Sequence, residues 1–372
     1  MTNSEKREEL VDSIGLLSIP GIGRGRFHHL VRAFGSPGAV LEAPLSRLET
    51  VPGISRSLAS NVKSLYDGAA AKAVAARIIQ LGWTVLTPDH QEFPTLLKNI
   101  PSVPPLLFRL GDPVQPDEKM IAIVGTRVPS EPGRMFAFKL AAALARAGIT
   151  VVSGMAEGID SVAHTGVLEN GGRTVAIWGS SLDVVYPPSN KSLAERIKTQ
   201  GAVYSEYFPN TRPDRAFFPE RNRIIAGMSY GIVVVEAGEK SGALITARHA
   251  LEQGHELFAV PGLPEAKISA GANQLIKEGA RLLTSVDDIF EELPQLKGQV
   301  LSRKYAQLPD MTGTEREIVK LFSDGPQQVD QISRTVHLPV NQILEYLLAL
   351  ELKGVVRELS GKRFVLSEEY LC

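Results

Sequence analysis

The chain has 372 residues, 44% of them hydrophobic, and a formal net charge of −1. That length and composition imply two or three domains with ample core and exclude a disordered chain, while the near-neutral balance leaves nucleic-acid binding to local patches. The single cysteine, Cys372, excludes internal disulfides and multi-cysteine metal sites. Together with a charged start (Glu5, Lys6, Arg7, Glu8, Glu9) that shows no secretory signal, and with no run of bilayer length, it fits a reducing cytoplasm.

Residues 1–82 read as a helical domain. Ile19-Pro20-Gly21-Ile22-Gly23 and Val51-Pro52-Gly53-Ile54-Ser55 each lie between segments of helical period, at 10–17, 26–34 and 57–66. Helix, glycine hairpin, helix, given twice, is the pattern of paired helix-hairpin-helix units. Such hairpins leave backbone N–H groups free for a DNA phosphate, and between Ser13 and Ser64 the cations Arg24, Arg26, Arg32, Arg47, Arg56 and Lys63 outnumber Glu42 and Glu49. A helical protein-docking module with tight turns fits the same residues.

Residues 83–293 alternate strand and helix. Pro88, Pro94, Pro101, Pro104 and Pro105 rule out a long helix at the start, and 106–110 reads as a strand leading into a sheet. Strands are predicted at 121–125, 149–153, 174–179, 202–206, 231–236, 257–260 and 281–284. Helices are predicted at 131–147, 159–170, 190–200, 243–254 and 272–279. Strands such as Ile232-Val233-Val234-Val235 are apolar on both faces, which marks a buried parallel sheet in a doubly wound α/β fold. Residues 294–311 form a polar linker. Residues 312–372 show helices at 315–322, 329–336 and 340–352, then two strands across Ser360-Gly361-Lys362, the pattern of a winged helix-turn-helix.

Ligands of such sheets sit at the carboxyl ends of the strands, here occupied by Gly125, Thr126, Arg127, Ser153 and Gly154. The stretch lacks G-x-G-x-x-G, an acidic residue ends no second strand, and no Walker lysine exists, so neither dinucleotide nor ATP chemistry is expected, and no cofactor or metal. The loop 212–223 places Arg212, Arg215, Arg221 and Arg223 around Phe217 and Phe218, with Asn222 among them. Cations beside an aromatic suit single-stranded DNA, the charges tracking phosphates while a ring stacks a base. One phenylalanine is expected to anchor this loop and the other to be exposed. Asp160 and His164 are four apart on one helix and could meet as an acid–base pair, but Asp160 is equally placed to cap that helix beside Gly158. The helix 340–352 carries Glu345 and Glu351 with no Lys or Arg and many leucines, which favours a protein contact over base readout.

These motifs, taken in order, resemble the DprA/Smf family of DNA-processing proteins. The resemblance rests on Val124-Gly125-Thr126-Arg127, Ser153-Gly154-Met155-Ala156 through Asp160, Tyr186-Pro187 with Asn190, Phe218-Pro219 with Arg221-Asn222-Arg223, Ser241 through Thr246, Phe258 through Gly262 and Gly271 through Ala280. It implies an extended Rossmann-like domain that binds single-stranded DNA in a basic pocket, homodimerisation through that domain, and loading of the RecA recombinase in natural transformation. The flanking modules resemble the helix-hairpin-helix/SAM-like and winged-helix accessory domains of that family. Relatives often carry Lys or Arg where this chain has Glu157, and a basic residue where it has Pro188, for which Lys191 could compensate. The competing reading is a Rossmann-type nucleotide-processing enzyme, phosphoribohydrolase-like. Its P-G-G-x-G-T-x-x-E motif is largely missing from 236–243. A transcription factor built on the C-terminal region is disfavoured by the acidic helix.

Overall fold

The computed structural model describes residues 3–297, 311–324, 327–359 and 363–366. The chain divides between residues 298 and 299 into two compact units. Residues 298–310 of the expected linker, the turn Ser360-Gly361-Lys362 and Cys372 lie outside the described residues.

The first unit opens with six helices: α1 (Asn3–Leu17), α2 (Arg24–Phe34), α3 (Pro37–Glu42), α4 (Leu45–Leu48), α5 (Arg56–Ser64) and α6 (Gly68–Gln80). The expected hairpin turns precede α2 and α5. Gly21 and Gly53 there take φ of +91° and +82°, a conformation that favours glycine. Arg26 ties the two turns together, donating to the carbonyls of Gly21 (2.8 Å) and Gly53 (3.0 Å). Phe27, Leu30, Leu48, Leu58 and Val62 close a local core.

The nine-stranded sheet follows: β1 (Thr84–Leu86), β2 (Leu107–Gly111), β3 (Met120–Gly125), β4 (Thr150–Ser153), β5 (Thr174–Ile177), β6 (Gly201–Ser205), β7 (Gly231–Val235), β8 (Glu256–Ala259) and β9 (Arg281–Leu282). The spatial order is β1-β2-β6-β5-β4-β3-β7-β8-β9. Strands β3 to β9 pair in parallel, whereas β1 and β2 form an antiparallel edge. The parallel sheet expected from sequence is present, and the strand expected at 106–110 joins it as part of this edge. The proline-rich stretch between β1 and β2 supplies no crossover helix, so the returning strand runs antiparallel.

Helices α7 (Glu131–Arg146), α8 (Ile159–Glu169), α9 (Lys191–Gln200), α10 (Phe217–Gly227), α11 (Ala243–Glu252), α12 (Ala270–Lys277) and α13 (Val286–Glu292) cover the sheet. Strand β3 feeds both layers, as a two-residue period requires. Met120, Ala122 and Val124 join α10, α11 and α12 in one layer, and Ile121 and Ile123 join α7, α8 and α13 in the other. A third cluster joins α1 and α6 to the sheet. Val11, Ile14, Ala75 and Ile78 pack with Trp83, Phe108, Trp178 and Val203. The N-terminal helices therefore share a core with the sheet.

The second unit contains α14 (Gly313–Lys320), β10 (Gln327–Gln328), α15 (Val329–Val336), α16 (Val340–Leu352), β11 (Val356–Leu359) and β12 (Arg363–Leu366), with strand order β10-β12-β11, all antiparallel. Thr312 and Glu315 form a capping box at α14, and Lys353 Nζ reaches Glu315 at 2.7 Å. Ile343, Leu347 and Leu350 of α16 are in the core, while Val340, Leu344, Leu348 and Leu352 are exposed. The leucines thus divide between two faces of the helix.

Candidate nucleic-acid interface

One pocket gathers the carboxyl ends of β3, β4 and β5. It is lined by Arg127 from the loop after β3; Gly154, Ala156 and Glu157 from the loop after β4; and Gly179 and Ser180 from the loop after β5. Tyr186 and Pro187, and Phe218 and Arg221 of α10, complete it. The position agrees with the rule for open α/β sheets. Gly158 (φ +82°) brings the second loop against the first, where a Cβ would lie within 2.4 Å of the Thr126 carbonyl oxygen.

Residues 217–223, read from the sequence as part of a loop, belong to helix α10 (Phe217–Gly227). Pro219 falls in its first turn, where no intrahelical N–H donor is needed. The helix splits the arginine cluster. Arg221 is buried beneath the pocket, donating to the carbonyl of Gly154 (2.7 Å) and to that of Ile177. Burial lowers its pKa to about 10, so it stays charged at neutral pH. Arg223 faces away. It holds Glu206 through Nη1 at 2.7 Å and Nη2 at 2.6 Å and the Ser102 carbonyl through Nε at 3.0 Å. Glu206 also accepts from Arg24 of α2 at 3.2 Å, so one carboxylate clasps the helical segment, the sheet and α10. Arg215 is exposed in the loop before α10, and Lys191 is exposed at the start of α9; neither lines the pocket. Asn222 accepts from Arg221 Nε (3.2 Å) and donates to the Gly242 carbonyl (3.3 Å).

Arg127 is exposed, with its guanidinium carbon 5.6 Å from the centroid of the Phe218 ring. Phe217 and Phe218 are both half-buried, correcting the expectation that one is exposed. Phe217 stacks on Tyr207 with centroids 4.4 Å apart, and Phe218 lies 5.6 Å from Tyr186. Tyr186, 42% exposed, is the more open ring of the pocket.

The backbone N–H groups expected to meet an anion are partly engaged within the protein. Asp160 Oδ2 accepts from the N–H of Gly154 (3.2 Å) and of Ala156 (3.3 Å), and the Thr126 N–H donates to the Glu236 carbonyl (2.7 Å). Asp160 therefore organises the loop before α8 and makes no side-chain cap on that helix, whose N-cap is Gly158. Ser153 is fully buried, its hydroxyl donating to the Ile123 carbonyl at 2.6 Å, and does not line the pocket. Of the two arginines that line the pocket, Arg127 is exposed and Arg221 is buried.

His164 pairs through Nδ1 with Thr174 Oγ1 at 2.7 Å, not with Asp160. Burial lowers its pKa to about 3, so the folded chain keeps it neutral where the unfolded chain, at about 6.5, takes up a proton. Acid therefore favours unfolding. Below pH 6.5 the cost is about 1.4 kcal/mol per pH unit. Between pH 7.5 and 5, the wild type is expected to lose about 2 kcal/mol more than His164→Gln in urea titrations. Parallel pH profiles for the two proteins would refute this assignment.

Tyr186, Ser180, Glu157, Glu206 and Arg24 were not among the residues assigned to the site from sequence. The Tyr186-Pro187 pair marked the first, and strand-end position marked the second. Nothing local marked the clasp, whose residues lie far apart in the chain.

The comparisons cover all three segments. A model of the DNA recombination-mediator protein A family matches residues 84–294, a DprA winged helix domain matches 302–362, and a SAM-like helix-hairpin-helix tandem matches 13–64. The DNA processing protein DprA of Bacillus subtilis is 40% identical over 223 residues, covering 60% of this chain and 75% of the relative. The protein Smf of Synechocystis is 35% identical over 314 residues, covering 75% of this chain and 79% of the relative. The X-ray structure of DprA from Streptococcus pneumoniae superposes with a TM-score of 0.65 at 32% identity, covering 78% of this chain and 98% of that one. DNA processing protein A of Helicobacter pylori, solved for its single-stranded DNA binding mode, gives 0.52 at 27% identity, covering 58% and 97%. With the family model spanning more than half its length and the sheet, hairpins and winged helix all in place, the chain belongs to the DprA/Smf family of DNA recombination mediators.

Proposed function

We propose that this protein is a non-enzymatic mediator that binds single-stranded DNA in the pocket at Arg127, protects incoming strands and loads the RecA recombinase onto them during transformation and recombination. It acts in the cytoplasm as a homodimer formed through the sheet domain. The observation that carries the reading is the exposed Arg127 over Phe218, beside buried Arg221 and open Tyr186, at the strand ends of a doubly wound sheet. Family membership supports it, as does the single-stranded DNA binding of the Helicobacter pylori relative. Cations and rings together suit a strand whose bases are unpaired, since a duplex hides their faces. Thr126 and Gly125 hold Arg127 in place, and Asn222 braces Arg221.

Fluorescence anisotropy with a labelled oligonucleotide and its duplex tests this. Single strands are expected to bind more tightly, with a salt slope of about −0.7 for each phosphate neutralised. Equal affinities for the two would refute the reading. Light scattering tests the dimer, and the rate of RecA filament growth on single strands, with and without the protein, tests loading.

A further inference from the structure

We propose that Glu157 makes the pocket selective for base type, favouring a base that offers an exocyclic amino group at its pairing edge over one that offers a carbonyl there. The inference rests on the single-strand reading above and names which nucleotides that site prefers.

Glu157 is an exposed carboxylate on the lining of an otherwise cationic and aromatic pocket. Among the described residues no Lys or Arg lies within ion-pair distance of it, so its charge is not neutralised by a neighbour. It is held in place, since Ser189 Oγ donates to its Oε1 at 3.0 Å. A second bond clamps the same two loops, Asn190 Nδ2 donating to the Met155 carbonyl at 2.9 Å. A fixed carboxylate stands beside the loop that carries the open Tyr186 ring.

The chemistry then divides the nucleotide. An ionised carboxylate only accepts hydrogen bonds, and it repels phosphate. The phosphates belong with Arg127. Phe218 is engaged by Arg127, by Tyr186 and by Gly179, where a Cβ would stand 2.8 Å from the Phe218 ring. Tyr186 is left as the more open surface for a base, and a base lying there brings its edge toward Glu157. Cytosine and adenine present an amino donor on that edge, and a carboxylate accepts from cytosine N4. At that 4-position thymine and uracil present a carbonyl oxygen, which the carboxylate repels; their donor is the ring N3–H beside it, so the preference belongs to a carboxylate that meets the 4-position group.

Oligo(dC) and oligo(dU) of equal length separate this effect from stacking, because the two bases differ at the 4-position group and the N3 proton and are nearly isosteric. In anisotropy titrations at pH 8, the wild type is expected to bind oligo(dC) about fivefold or more tightly, the low end of discrimination by a specific base contact. In Glu157→Gln the amide offers either a donor or an acceptor, so the preference should vanish while affinity for both oligonucleotides rises with loss of the negative charge. Equal wild-type affinities, or a preference unchanged in Glu157→Gln, overturn the proposal and leave single-strand binding standing. Binding of neither oligonucleotide overturns the single-strand reading itself, and this proposal with it.

Discussion

Replacing Glu206 with alanine is expected to destabilise the first unit by about 3–5 kcal/mol, the usual result of removing one partner from a buried ion pair. Glu206 and Arg223 are 8% and 5% exposed at their side chains, and the carboxylate is shared with Arg24, which is 27% exposed. Alanine leaves the Arg223 guanidinium buried without its anion, with only the Ser102 and Glu220 carbonyls as acceptors. Arg223→Met should cost less, because Glu206 keeps Arg24 and the longer apolar chain fills the space. Urea denaturation of the two variants gives the order. A loss below about 1 kcal/mol in Glu206→Ala would place the clasp among exposed pairs of small effect. Arg223 lies on the helix that carries Phe218 and Arg221, so Glu206→Ala should also weaken strand binding although the carboxylate does not line the pocket.

Arg127→Ala is expected to lower single-strand affinity by about a hundredfold, as the loss of one or two charge-assisted hydrogen bonds at about 1.5–3 kcal/mol each would do. Arg221 has a buried counter-charge in Asp160, whereas Arg127 is exposed at the pocket. Substitution at an exposed position should leave stability within about 0.5 kcal/mol. Arg127→Lys should keep the salt slope but not the affinity, since an ammonium cannot reproduce the planar fork. Circular dichroism with a binding titration checks both points. Wild-type affinity in a folded Arg127→Ala protein would remove the pocket from the mechanism.

Much of the first unit is legible in sequence because its strands are apolar on both faces and punctuated by helical period. Strand β3 and its parallel neighbours carry that signal strongly. Strand β1 is three residues long and carries none. Helix α10 was obscured by Pro219 and by its arginines, which read as a charged loop. Once it is a helix, its arginines sort themselves. Arg221 and Arg223 are two apart, about 200° around the axis, and must face opposite ways. The Asp160 and His164 spacing was equally visible, but it fixes only a shared face and not a shared partner. Tertiary neighbours decided that, the Gly154 loop for one and Thr174 for the other. The clasp joins Arg24 to a carboxylate more than 180 residues away, a separation at which no local pattern operates.

The core shared by the first helices and the sheet has a consequence for the order in which the molecule assembles. Ile14 and Ala75 pack in the same cluster as Ala194 and Val203. On the ribosome, α1 and α6 emerge long before α9 and β6 and cannot finish burying that face until those elements arrive. Contacts so distant in sequence slow folding, because the loop must close before they contribute. Until then the cluster from Leu16 to Val62, whose residues are all local, is the core that can close first on the nascent chain. The waiting apolar face of α1 and α6 is where a chaperone would bind.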